Sequence, residues 1–327
     1  MALSRCNKCF QLAEHEREAV GKQVACAHCG TETTVYDTVF FVSRLLEQYF
    51  VQRRELYELR GLKQISESGK ADTATRSDIN IHDTDRFSNE TQHKCIVDWF
   101  RRKSVTVSID HSAVDTRGFF DEAAVALGCD YALCKEVLDR IRYAQNKEFN
   151  SALIHLENRS KNDIRALEAI GRKLYEYSLV ARFFHNKPER NIRLVLQNAP
   201  GVRQFFAGAW LEWFALMTGL RVLQDRGVAF SCARNLVLSY APEEKRELDV
   251  FFLVDNRRPI YIECKSGEYR QDLEKYVTLR KRLAIESRHF IICVPDIKDD
   301  QAKALSSMYD MTFVNTETLG PHLASLI

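Results

Sequence analysis

Between Glu247 and Lys265 two apolar runs flank a short polar break. Residues 247–254, Glu-Leu-Asp-Val-Phe-Phe-Leu-Val, are strand-prone, Asn256-Arg257-Arg258-Pro259 reads as a tight turn, and residues 260–265, Ile-Tyr-Ile-Glu-Cys-Lys, are strand-like again. Two strands joined this closely form an antiparallel hairpin. Side chains alternate along a strand, so Glu263 and Lys265 share one face while Cys264 points the other way. Asp249, near the start of the partner strand, can reach that face. Glu247 is a second candidate acid, set closer to the strand edge. Carboxylates held this way suit a hard cation such as Mg²⁺ or Mn²⁺, which prefers oxygen ligands and keeps several waters. Lys265 beside them can orient or deprotonate a water, or neutralise charge developing on a phosphate. The bland alternative is a salt-bridged surface hairpin.

Upstream, Gly208-Ala-Trp-Leu-Glu212 places a third acid on a helix expected over 202–219. Asp249, then Glu263-Cys264-Lys265 on the next strand, with Glu212 before them, resembles the PD-(D/E)xK nuclease superfamily. The Gly-x-Trp-Leu-Glu, Glu-Leu-Asp-Val and Glu-Cys-Lys-Ser-Gly wording is also similar to the nuclease half of CRISPR ancillary effectors activated by cyclic oligonucleotides. The resemblance implies a restriction-endonuclease-like α/β core over 201–327. It also implies Glu212, Asp249 and Glu263 as ligands of catalytic Mg²⁺ or Mn²⁺, Lys265 as the residue that assists the attacking water, and metal-dependent cleavage of DNA or RNA; DNA is the expected substrate. A role in defence against foreign nucleic acid follows from the resemblance alone. No alternating βαβ pattern precedes residue 200, where those effectors carry a Rossmann-like sensor. Lys275 and Tyr276 follow on the next helix, where the resemblance implies polar residues facing substrate; a solvated helix face is the preferred reading.

Cys6-Asn-Lys-Cys9 and Cys26-Ala-His-Cys29-Gly30 have the spacing of a four-thiolate zinc site. Each pair can form a knuckle that grips one metal, and the pattern resembles a zinc ribbon. Four thiolates close a tetrahedral shell, so this zinc is expected to be structural. His15 and His28 are substitute ligands, and a disulfide pair is the alternative. The remaining six cysteines sit singly in apolar settings and read as reduced core residues.

The 327 residues are enough for two or three domains, and 28% charged with 45% hydrophobic residues is ordinary for a soluble chain. No apolar run approaches the ~20 residues of a membrane span, and Met1–Phe10 lacks an apolar signal core. A cytoplasmic protein without a membrane partner is expected. The net charge is only +2, but basic residues outnumber acidic ones over 94–207, the block best suited to a phosphate backbone.

The expected fold is multidomain, α and α/β: a zinc ribbon over 1–36, a long amphipathic helix over 37–63, a flexible linker over 64–92, a helical block over 93–200 and the nuclease core over 201–327. The long helix either packs on a neighbour or makes a homodimer, and it or the ribbon can dock a protein partner. Within 93–200, Phe119–Leu127, a turn and Tyr131–Tyr143 have a helix-turn-helix cadence, with Val105–Ile109 as a short strand beside it, as in a winged helix. A recognition helix there would present Lys135, Arg140 and Arg142 to nucleic acid. A packed helical hairpin is the alternative. The rival to an endonuclease is a non-catalytic zinc-ribbon and helix-turn-helix regulator, or an assembly subunit with an inert nuclease fold.

Overall fold

The computed structural model describes residues 2–9, 11–39, 42, 87–114, 119–241 and 244–327. They fall into two compact units, one within Met1–Asp78 and one within Ile79–Ile327. Of the long helix expected over 37–63, only 37–39 and 42 are among the described residues. The linker expected over 64–92 lies outside them as far as residue 86.

The first unit is a four-stranded antiparallel sheet of β1 (Ala2–Arg5), β2 (Leu12–His15), β3 (Gln23–Ala25) and β4 (Glu32–Asp37), in the order β2-β1-β4-β3. Each Cys-x₂-Cys pair forms the turn between two strands. Cys6 N–H donates to Gln11 O at 2.9 Å, and Cys26 N–H to Thr31 O at 2.9 Å. Gly30, at φ 73°, closes the second turn in a region that favours glycine. Among the described residues of this unit, Ala2 and Val35 are the fully buried apolar side chains outside the cysteines. A sheet with so few buried apolar side chains gains from a structural metal.

The second unit is built on a six-stranded sheet. Its strands are β5 (Thr106–Ser108), β9 (Phe230–Ala241), β10 (Glu244–Val254), β11 (Arg258–Cys264), β12 (Phe290–Cys293) and β13 (Thr312–Val314), in the order β13-β12-β11-β10-β9-β5. The β9-β10-β11 meander is antiparallel, and β11, β12 and β13 are parallel. Helix α1 (Glu90–Arg101) and helix α7 (Leu273–Leu283) supply the apolar residues of one face. The other face is covered by α6 (Trp210–Arg226), which is buried on nearly every side and carries Glu212 in its first turn. A Cβ at Gly219 would stand 2.4 Å from Phe252 Cζ, so only glycine lets α6 lie this close to β10. Over 202–293 the elements run helix, three strands, helix, strand. Helices α8 (Asp299–Tyr309) and α9 (Leu319–Leu326) complete the unit.

Three expectations need correction. Residues 220–223, Leu-Arg-Val-Leu, are strand-prone in sequence but lie in α6, where Leu220 and Leu223 are buried and tertiary packing overrides local propensity. The 93–200 block is not helical throughout. It holds α2 (Phe120–Cys129), α3 (Tyr131–Asn146) and α4 (Lys161–Glu176), but also a three-stranded antiparallel sheet of β6 (Ser151–His155), β7 (Val180–Asn186) and β8 (Asn191–Leu196), ordered β6-β8-β7. The short strand near Val107 is not a wing beside the helices: β5 pairs with β9 at the edge of the six-stranded sheet. The 93–200 and 201–327 blocks thus lie in one compact unit. All ten cysteines are free, and Cys129 is exposed rather than apolar in setting.

Candidate functional site

The three acids of unit two come from α6, β10 and β11, and local backbone decides where each points. A short helix, α5 (Pro200–Gln204), passes into a π-turn over Phe205–Ala209 before α6 begins. Such turns recur at functional sites. This one carries Gly208 against the loop after β11, where a Cβ would stand 3.2 Å from Ser266 Oγ. The start of α6, with Glu212, is thereby brought to the end of the Glu263-Lys265 strand.

Simple alternation does not place Asp249. Leu248 and Val250 are two residues apart, yet they belong to opposite faces of the sheet, as do Leu236 and Arg234 on β9. The register between the strands is unbroken there, Leu248↔Leu236 and Val250↔Arg234. Both strands therefore turn over together, at Asp249 and at Asn235, whose φ of 56° is left-handed. Freed from the regular pleat, the Asp249 carboxylate accepts the Cys264 backbone N–H at 2.7 Å. Glu263 and Lys265 do share a face: Lys265 Nζ lies 2.7 Å from Glu263 Oε1, and the Tyr261 hydroxyl donates to Glu263 Oε2.

Glu212 has a partner that the sequence reading missed. Arg234, buried on β9, donates from Nη1 to Glu212 Oε2 at 2.8 Å and from Nε to Ala113 O at 2.8 Å. Its guanidinium stacks 4.1 Å from the centre of the Trp213 ring. The signal was present, since a lone arginine inside the apolar run Phe230–Leu238 must find a buried anion. Tyr276 was also misjudged. It is buried rather than solvated, with its ring 5.7 Å from Lys265 Nζ, whereas its neighbour Lys275 pairs with Asp272 at 2.6 Å on the surface. Glu247 is exposed and bears on Glu212 and Asp249 through its charge alone.

All three carboxyls are held above their ordinary range. Burial pushes Glu212 up to about 7, the Asp249 charge adds to this, and Arg234 only partly offsets it. Burial and then the Glu263 charge raise Asp249, against the Cys264 N–H. Burial raises Glu263, against the Lys265 charge. Burial alone would lower Lys265, but the Glu263 carboxylate more than compensates and keeps the ammonium charged. Three acids thus share one neighbourhood with two cations, Arg234 and Lys265. Carboxylates are the ligand type that hard divalent ions prefer, but these three do not converge closely enough to hold an ion as they stand. A cavity of about 210 Å³ opens beside Lys265, Ser266 and Gly267, with Arg270 and Asp296 on its walls.

The residues expected to meet nucleic acid lie on α3. Lys135 is paired with Asp139 at 2.9 Å and Asp296 at 3.2 Å, and Arg140 with Glu136 at 3.7 Å. Arg142 reaches the loop after Lys265, with Nη1 3.4 Å from Ser266 O, and its buried Nε has no partner. Of the three, Arg142 alone stands beside the acids' strand.

In the first unit the four cysteine sulfurs lie within 4.8 Å of one another, with Cys6–Cys29 at 3.4 Å and Cys9–Cys26 at 3.5 Å. A tetrahedron with Zn–S bonds of 2.3 Å has an edge of about 3.8 Å, within that range. Thr31 and its N–H lower Cys29 to about 6, and the Cys9 and Lys8 N–H groups lower Cys6. The Gln11 N–H would lower Cys9, but burial with the neighbouring thiols outweighs it and raises Cys9, so the sulfurs crowd one another. The cluster can therefore bind zinc. His15 is engaged by Ser4 Oγ at 2.8 Å and is not a ligand here. Among the described residues this is the only group of three or more His, Cys, Asp or Glu side chains close enough to hold an ion as they stand.

No protein-family model matches the chain, and no curated protein matches it in sequence. Among solved structures, protein VC1899 from Vibrio cholerae is 18% identical, over 79% of this chain and 63% of that one, with a TM-score of 0.49. Can2 from Sulfobacillus thermosulfidooxidans, solved in complex with cyclic tetra-adenylate, is 13% identical, over 70% and 59%, with a TM-score of 0.48. The chain spans less than two thirds of the length of either. No helix among the described residues is long and apolar enough to cross a membrane.

Proposed function

We propose that the second unit is a metal-dependent endonuclease acting on phosphodiester bonds, of DNA first and RNA second, with Glu212, Asp249, Glu263 and Lys265 as its working residues. The observation that carries this reading is geometric: Lys265 Nζ lies 2.7 Å from Glu263 Oε1, and the Cys264 N–H holds the Asp249 carboxylate against the same strand at 2.7 Å. Buried carboxyls near one another are costly, and such groups cluster at functional sites. Glu212, Asp249 and Glu263 would hold Mg²⁺ or Mn²⁺, which supplies Lewis-acid polarisation of the phosphoryl oxygen and a more acidic water. Lys265, tethered to Glu263 and facing the cavity, neutralises charge that builds on the phosphate. Arg234 fixes the Glu212 rotamer by its two-point anchorage to Glu212 and Ala113 O. In the first unit, Cys6, Cys9, Cys26 and Cys29 hold a structural zinc, and the ribbon serves nucleic-acid or protein contact. A defence role against foreign nucleic acid accords with the family resemblance.

The test is incubation of the zinc-loaded protein with end-labelled single-stranded DNA, duplex DNA and RNA, with Mg²⁺, with Mn²⁺ and with neither. Cleavage should need the added ion and should fall steeply in Asp249→Ala and Lys265→Ala proteins that still bind the substrate. One observation favours a second reading, a binding protein with an inert nuclease fold: Glu212 and Glu263 are each already closed by an internal ion pair. Substrate binding without cleavage under every ion condition would select it.

A further inference from the structure

The three-stranded sheet β6-β8-β7 has one face that the fold uses and one that it does not. Ala152, Ile154, Ile192 and Leu194 point inward and are buried. Phe183 points the same way and lies so close to α4 that a Cβ at Gly171 would meet its ring at 2.5 Å. The next residue, Phe184, necessarily points out, and it is 47% exposed. Pairing places it in one cross-strand row with Arg193 and Leu153, itself 38% exposed. The adjoining row is Arg182, Val195 and Ser151. Arg182 and Arg193 are exposed, and neither has a carboxylate partner among the described residues. The polar contact Arg193 does make is from Nε to Ser151 Oγ at 3.3 Å. Lys187 and Arg190 are exposed in the β7–β8 turn, while Glu189 in that turn accepts from Asn191 Nδ2.

This is the reverse of α3, where Lys135 and Arg140 spend their charge on neighbouring acids. On the sheet the cations are uncompensated and an aromatic ring lies among them. An apolar protein partner would be poorly matched by unpaired arginines, and a duplex offers no unstacked base to a lone phenyl ring. A single strand satisfies both features. Its bases have faces to stack, and its phosphates follow at intervals comparable with the spacing of neighbouring side chains, about 5 Å across strands and about 7 Å along one. We infer that the outer face of β6-β8-β7 binds single-stranded nucleic acid, with a base stacked on Phe184 and phosphates on Arg182 and Arg193. The surface is independent of the cleavage reading, and it stands whether or not the acids are catalytic.

The test is fluorescence anisotropy of the zinc-loaded full chain in Ca²⁺, without Mg²⁺ or Mn²⁺, against labelled oligo(dT), oligo(rU) and a duplex of the same length. Phe184→Ala should weaken binding of both single strands about tenfold, the loss expected for one stacked base. Phe184→Trp should keep the affinity. Phe184→Leu, apolar but without a ring face, should lose it. Arg182→Glu with Arg193→Glu should weaken single-strand binding further and flatten its salt dependence. Duplex binding should change little. Equal losses with oligo(dT) and oligo(rU) mean backbone-and-stacking recognition, and a loss with only one assigns the surface to that polymer. Wild-type affinity in Phe184→Ala and in the double arginine variant would overturn the assignment. So would wild-type affinity in Phe184→Leu, or a variant whose measured mass falls while its binding is unchanged, which would make the face a contact between copies.

Discussion

The two candidate metal centres of this chain are built on opposite plans. The thiolates of the first unit lie in two turns close in sequence, and short backbone hydrogen bonds within those turns bring four sulfurs within 4.8 Å of one another before any ion arrives. The carboxylates of the second unit come from a helix and two strands, and each is restrained by its own partner: Arg234, the Cys264 N–H or Lys265. A ligand set made by local turns is geometrically ready but belongs to a unit whose described residues bury few apolar side chains. A set made by tertiary packing is supported by a large core but is electrostatically strained. The first should depend on its ion for folding, and the second should depend on its ion only for relief of charge and for chemistry.

The largest expected effect breaks the comparison from the first side. Zinc removal, or Cys26→Ser, should unfold residues 2–37, since apparent binding energies of structural zinc are about 10–16 kcal/mol. The thermal transition of 79–327 should remain. Limited proteolysis read by mass spectrometry distinguishes the two units, and loss of both transitions together would show that they are not independent.

Next in size, Asp249→Ala or Lys265→Ala should lower cleavage by about 10²–10³-fold, the scale for removing one electrostatic contributor from a preorganised site. Steady-state rates at saturating Mn²⁺ check this. Arg234→Met should then cost about 2–4 kcal/mol in urea unfolding at pH 8, because it leaves Glu212 charged and half-buried without its cation. The loss should be smaller at pH 5, where Glu212 takes a proton.

The smallest effect is the pH dependence of the ion-free protein. The folded carboxyl of Glu212 is raised from 4.5 to about 7, so its protonated form is favoured by folding. Its contribution is fully present below 4.5 and is lost as the pH climbs through 7, by about 1–2 kcal/mol after screening at a side chain 20% exposed. Asp249 and Glu263 act in the same direction. Unfolding midpoints at pH 5 and pH 8 should therefore differ, and Mg²⁺ should close the gap at pH 8. A stability that rises with pH in the absence of divalent ions would sharpen the comparison against this account.

Much of this was legible in the sequence, and what escaped did so for identifiable reasons. The cysteine knuckles and the 247–265 hairpin are local: spacing, turn residues and alternation specify them, and the Glu263–Lys265 contact follows from a period of two. Asp249 could be placed near the site but not oriented, because its direction depends on a coordinated turn-over of β9 and β10 at Asn235. Arg234 sat in plain view as the one charge in an apolar strand, yet its partner lies on another element. The β6-β8-β7 sheet was read as helix because its strands are short and interrupted by charged residues, and only the pairing shows that Phe183 faces in while Phe184 faces out. The basic residues of α3 were recognised as a cluster, but whether a cation is free or spent is a property of tertiary neighbours.

The most direct measurement is calorimetric titration of Mn²⁺ into the zinc-loaded protein at pH 7 in buffers of different ionisation enthalpy. An ion that enters a cluster of carboxyls held up by burial and mutual repulsion must displace protons from them. The account predicts Mn²⁺ binding with measurable proton release, both lost in Asp249→Asn. Binding that persists unchanged in that variant, or no binding at all, would contradict it.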